Sequence, residues 1–275
     1  MLKKIKTQFI DSFTETEVAS IKYRSERTNK IDFRSIFLAI FIALSLVMIE
    51  YIGKSPGYLN FITFLKTIGL GNLGNQLKTV LETSEKSQIN QLLYWVVIVF
   101  SFYFIFPIIV IKLIFKEKLG NYGLKLGSAF KEYRIYIFML MIMIPVVIFF
   151  STTASFQERY PFYHLAVKEK LFPYFFVWQI LYFFQFIGVE FFFRGFIVHG
   201  FKRQFGVYSI LIMMIPYCMI HFGKPMPETI AAIFAGLVLG MLSLKSNSIW
   251  LGVAIHYSVA ITMDLAALWQ KGYFN

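Results

Sequence analysis

Seven apolar runs of about 15 to 27 residues, on the scale of a bilayer crossing, recur along this 275-residue chain. They extend from about Ile36 to Tyr51, Leu92 to Phe115, Ile135 to Phe150, Tyr174 to Gly200, Tyr208 to Phe222, Thr229 to Leu244 and Ile249 to Leu268. Lipid offers the backbone no hydrogen-bond partners, so a spanning segment must satisfy its own amides and carbonyls. A helix does this with about 20 residues at 1.5 Å per residue. Only 15% of the residues are charged, against about 25% in soluble domains. These runs predict an all-α, polytopic helical membrane protein with seven to eight transmembrane helices.

The net charge of +12 raises the question of nucleic acid, but no nucleic-acid-binding motif accompanies it. Lysine and arginine instead mark cytoplasmic loops and interfacial flanks. The basic stretches up to Arg34, from Lys116 to Arg134, at Lys202-Arg203 and at Lys245 place the N-terminus in the cytoplasm. The single cysteine, Cys218, gives neither a disulfide framework nor a thiolate metal site. The first apolar run begins too far in for a cleavable signal and is read as a retained span. Three segments result: 1–34, a cytoplasmic piece; 35–170, N-terminal membrane helices; and 171–270, a core holding the polar residues below. In the first, Ile5, Phe9, Phe13 and Val18 are spaced to lie on the membrane surface. Between the first two runs, FITFLKTIGLGNLGNQL is amphipathic and glycine-interrupted, and reads as non-spanning or re-entrant.

Glu190 and Arg194 lie one turn apart inside FFVWQILYFFQFIGVEFFFRGFIV. A charged side chain in hydrocarbon costs roughly 2.5 to 3.5 kcal/mol even on the lenient insertion scale. Later runs hold one histidine each, His221 and His256. Counting from the expected cytoplasmic ends, Glu190 lies about 15 Å deep, His221 about 20 Å and His256 about 10 to 12 Å. Helix tilt absorbs such differences, so the three side chains are expected at a similar level.

These residues resemble the motifs of the CPBP family (CAAX-protease and bacteriocin-processing intramembrane proteases, also called Abi): EExxxR, FxxxH and HxxxN or HxxxD on successive helices. Here they read Val189-Glu190-Phe-Phe-Phe-Arg194, Tyr217-Cys-Met-Ile-His221 and His256-Tyr-Ser-Val-Ala260. Two positions depart from the pattern: Val189 stands where the first glutamate belongs, and Ala260 where the asparagine belongs. Successive helical residues point about 100° apart, so Glu190 takes over the task of position 189 only with helix rotation or a π-bulge. Asp264, on the same face as His256 but about 12 Å along the helix, is a candidate substitute for the missing polar group. The Tyr122–Gly127 stretch also resembles a pre-helical loop common in the family.

The resemblance implies a conical helix bundle around an intramembrane polar cavity. It further implies an endopeptidase in which Glu190 and His221 activate water and His256 stabilises the oxyanion, with Arg194, Tyr217 and Asp264 in support. Substrates would be membrane-associated peptides, such as lipidated C-termini, leader-bearing bacteriocins or signalling peptides. Partners would be membrane lipids and such a peptide, not nucleic acid. The location would be a bacterial cytoplasmic membrane. Metal-free chemistry is the expectation; were zinc used, Glu190, His221 and His256 would be its ligands, since two imidazoles, a carboxylate and a water form a catalytic set. Two other functions stay open: an inactive relative acting as a membrane binding, immunity or scaffold protein, motivated by Val189 and Ala260, and a transporter, against which no internal repeat is visible. His164 and His199 are read as loop or interfacial residues without a role, and Glu228 as the acidic start of a helix.

Overall fold

The structure, a computed structural model, describes residues 2–28, 30–126, 130, 133–165 and 170–274, with side chains from Ile10 onward. The side chains of Ile5 and Phe9, and Gly127 of the loop, lie outside the described residues. The fold is all-α: the only β pairing among the described residues is a single bridge between Leu124 and Ser248. Helix α1 (Leu2–Ser25) comes first. Among the described residues, six later helices are long and apolar enough to cross a membrane: Phe33–Gly53, Ser87–Ile114, Tyr133–Phe150, Tyr174–Met219, Met226–Ser246 and Trp250–Gln270. The first is α2, which precedes two short helices, α3 (Tyr58–Thr67) and α4 (Gly71–Lys78). The glycine-interrupted stretch thus forms a helical hairpin too short to span. Next come α5 (Ser87–Ile114), α6 (Tyr133–Phe150) and the short α7 (Ala154–Arg159).

The 46-residue helix Tyr174–Met219 is not one rod. It runs as α8 (Tyr174–Glu190), a π-helical segment Phe191–Ile197 and α9 (Val198–Phe205). A 3-10 turn, Gly206–Tyr208, then reverses the chain into α10 (Ser209–Met219), which packs back on the π-segment and α9. Gly206 at φ 55°, ψ −132° has a backbone conformation that L side chains rarely adopt, and this sets the reversal. The fourth and fifth expected runs are therefore the two arms of this longest helix; among the described residues six helices reach spanning length, and the count of seven to eight is not confirmed. With 11 residues, α10 rises about 16 Å, half of a hydrocarbon core. His221 was expected inside a span; it sits instead in the turn after α10, before α11 (Met226–Ser246). The last helix is α12 (Trp250–Gln270).

The chain divides into two compact units, each drawn from three separate stretches. The first comprises residues 1–42, 107–143 and 190–256. Within it α1 docks on α9 and the 3-10 turn: Glu17 accepts from the Val207 amide at 3.3 Å, and Arg24 donates to the Gln204 carbonyl at 2.8 Å. Ile10, Val18 and Ile21 remain exposed on the helix. A charged knot lies nearby: Glu117 takes both Arg34 nitrogens (2.8 and 3.1 Å), the Tyr122 hydroxyl (2.7 Å) and Arg203 (2.8 Å). Burial alone would raise the Glu117 pKa, but the Arg34 guanidinium beside it pulls the carboxyl down to about 2.

The second unit comprises residues 43–106, 144–189 and 257–275. Its core is aromatic, with Trp178, Tyr182, Phe186, Tyr163 and Phe175 buried around Ala260 and Leu268. Tyr94 donates to the Ile52 carbonyl at 2.8 Å, fastening α5 to α2.

Candidate active site

Glu190 ends α8 at the point where the helix widens into the π-segment. A π-turn holds an extra residue and rotates the facing of the side chains around it by about one residue's step. That bulge is the feature needed for Glu190 to face differently from an unbroken helix. Its carboxylate is fully buried, and Oε1 serves two partners: Arg194 NH1 at 3.3 Å and His256 Nδ1 at 2.8 Å. Arg194 itself lies within the π-segment, at most 1% exposed, with its guanidinium carbon 3.8 Å from the centre of the Tyr217 ring. Its contact with Glu190 is an ion pair, and no guanidinium nitrogen makes a well-aligned hydrogen bond. The aromatic face and the carboxylate together compensate the buried cation.

The tautomers come from these partners. A carboxylate only accepts, so Nδ1 of His256 carries the hydrogen, and Nε2 is its second working atom. The Tyr217 hydroxyl stands 3.5 Å from that Nε2, at the long limit of a hydrogen bond. His221 Nδ1 lies 2.8 Å from the Tyr217 carbonyl and therefore donates to it, leaving the Nε2 of a neutral imidazole with its lone pair. The turn bearing His221 is held by Thr229, whose hydroxyl donates to the His221 carbonyl at 2.9 Å. The Tyr217 ring packs edge-on against both imidazoles, with centroids at 4.8 Å from His221 and 6.2 Å from His256.

Five of the expected residues thus form one connected group: Glu190, Arg194, Tyr217, His221 and His256. Exposure grades across it, from 0% at Glu190 to 7% at His221 and 18% for the His256 side chain. Glu190 and Arg194 are the most buried of the five, and His256 keeps a partly exposed side chain. Such an arrangement can hold an imidazole in one tautomer, stabilise its protonated form and deliver a proton at Nε2.

Asp264 does something else. Oδ2 accepts from Trp178 Nε1 at 3.0 Å and from Gln179 Nε2 at 2.8 Å, and Oδ1 from the Phe162 amide at 3.3 Å. Both oxygens serve to join α8, α12 and the preceding loop inside the second unit. Val189 is buried at 7% exposure, and Ala260 belongs to the aromatic core.

His199, expected at an interface, is buried instead. Its Nδ1 lies 2.9 Å from Lys202 Nζ and its Nε2 3.3 Å from Ser243 Oγ, which in turn donates to the Arg194 carbonyl at 3.1 Å. It braces the backbone of Arg194. Only its i,i+3 spacing from Lys202 and its place on the continued apolar helix hinted at this.

A zinc site needs three protein donors around one point. Among the described residues no group of three His, Cys, Asp or Glu side chains is so arranged. Glu190 Oε1 and His256 Nδ1 face each other, so the expected set does not fit the ion in this arrangement.

Residues 171–262 match the family described as Type II CAAX prenyl endopeptidase Rce1-like. The matched segment contains all five connected residues, stops before Asp264 and agrees with the CPBP resemblance of the three motifs. No curated protein and no solved structure matches the chain.

Proposed function

We propose that this chain, an all-α integral membrane protein with a CAAX-protease-like segment, is an intramembrane endopeptidase. Its substrate would be a lipidated or otherwise membrane-associated peptide. The contact between Glu190 and His256, residues 66 positions apart, carries this reading. A buried carboxylate that fixes one imidazole nitrogen prepares the other for acid–base work.

In the proposed reaction Glu190 acts on water through His256. The His256 Nε2 accepts a proton from a water molecule held also by the His221 Nε2 lone pair. The water oxygen bonds to the peptide carbonyl carbon, and the negative charge moves to the carbonyl oxygen. The Tyr217 hydroxyl, beside His256 Nε2, donates to that oxyanion. Glu190 stabilises the imidazolium so formed. His256 then gives its proton to the amide nitrogen as the C–N bond breaks, leaving a carboxylic acid and an amine. Arg194 holds Glu190 in place throughout. No step in this scheme runs through a metal. The N-terminus and the basic loops would face the cytoplasm, in a bacterial cytoplasmic membrane.

The test is cleavage of a farnesylated CAAX-type peptide by the protein in nanodiscs, read by mass spectrometry. Glu190→Gln and His256→Ala should each slow cleavage by about 100-fold or more, the usual scale of general acid–base catalysis. Wild-type cleavage unchanged by both substitutions would refute these roles. The burial of Glu190 beneath Arg194 and the apolar Val189 and Ala260 favour one alternative, a non-catalytic relative that binds such peptides. Saturable binding of the lipidated peptide without hydrolysis would support it.

A further inference from the structure

We propose that Gly252 is a positioning residue whose missing side chain is the slot that lets the Glu190 carboxylate reach His256. The inference rests on the Glu190–His256 pair being the working site. Gly252 lies on α12 one helical turn before His256, so the two share a face. A β-carbon placed on Gly252 would meet Glu190 Oε2 at 2.6 Å, Cδ at 3.4 Å and Cγ at 3.9 Å. The three nearest atoms all belong to Glu190, so it is this side chain that fills the space. Real β-carbons essentially never show separations under 3.0 Å, and one partner must move.

The partner that moves is the carboxylate. Glu190 Oε2 has no hydrogen-bond partner, so no hydrogen bond on that oxygen is lost when it shifts. Its other oxygen holds His256 at 2.8 Å, a distance that a shift of a few tenths of an ångström lengthens appreciably. Alanine is also a better helix residue than glycine, so the substitution does not weaken α12 itself. Gly252→Ala therefore separates the positioning of Glu190 from the integrity of the helix.

The experiment reads the His256 Nδ1 proton by NMR in the wild-type protein in detergent micelles, with no substrate required. A proton shared with a carboxylate resonates far downfield and is protected from exchange. In Gly252→Ala it should move upfield and exchange at least severalfold faster, approaching its behaviour in Glu190→Gln. A signal in Gly252→Ala indistinguishable from wild type overturns the proposal while leaving the pair intact. No difference between wild type and Glu190→Gln overturns the pair itself, which is a separate failure. Should Gly252→Ala fail to fold, the same substitution is made in a Glu190→Ala background, where the slot is empty. Gly252→Ala should then leave the apparent Tm of that background unchanged or raise it. A loss of stability there would place the clash elsewhere and refute the assignment.

Discussion

Replacing Arg194 with methionine removes the cation and keeps most of the side-chain volume. The cation lies 3.3 Å from Glu190 Oε1, and both groups are essentially buried. At that separation an effective dielectric near 20 gives a Coulomb term of about 5 kcal/mol. Removing one member of a buried pair typically costs about 3 to 5 kcal/mol because the other is left uncompensated. The lost cation–π contact with Tyr217 adds about 1 to 2 kcal/mol, and the retained hydrogen bond from His256 offsets part of the total. A net loss of about 4 kcal/mol lowers the apparent Tm by roughly 10 °C for a chain of this size. Differential scanning fluorimetry of the detergent-solubilised variant reads this directly. Arg194→Met combined with Glu190→Gln should recover much of the loss, since no bare carboxylate remains. A single-variant shift under about 3 °C, or a double variant as unstable as the single, would refute the electrostatic coupling of the pair.

Other parts of the molecule give three further outcomes. Asp264→Ala leaves the Trp178, Gln179 and Phe162 donors unsatisfied; the expected cost is about 2 to 4 kcal/mol, with a changed tryptophan emission, and an unaltered melting curve would contradict it. Glu117 has a folded pKa lowered to about 2, below its unfolded value, so its stabilisation is complete above the ordinary glutamate range and disappears as pH falls toward 2. Melting from pH 6 to 3 should show wild type losing about 2 kcal/mol more than Glu117→Gln; parallel curves would rule this out. Tyr217→Phe removes only the hydroxyl near His256 Nε2 and should lower kcat by about 100-fold with KM unchanged. An effect on KM alone would assign the hydroxyl to substrate binding.

Much of the fold was legible before any coordinates, because spanning hydrocarbon imposes a constraint on composition alone. A run of about 20 apolar residues must close its own hydrogen bonds, whatever its neighbours are. The same reasoning marked Glu190, Arg194, His221 and His256, since each stands out from an apolar run. It misjudged Tyr208–Phe222 because apolarity continues through His221 while the helix stops at Met219. Hydropathy registers the medium, and the backbone turn at residues 220–223 leaves no mark on it.

Which polar groups meet was a matter for tertiary structure. A side chain's partner depends on the rotation of two helices about their axes, and residues 66 apart in sequence carry no record of that angle. The π-segment turns Glu190 toward His256 and Arg194, while Asp264, on the same helix as His256, is satisfied by Trp178 and Gln179. His199 looked interfacial until Lys202 and Ser243 were found on its two nitrogens. The composition of the chain thus determined that it enters the membrane as helices with buried charge. Helix rotation, set by packing and by one widened turn, decided which of those charges share a site.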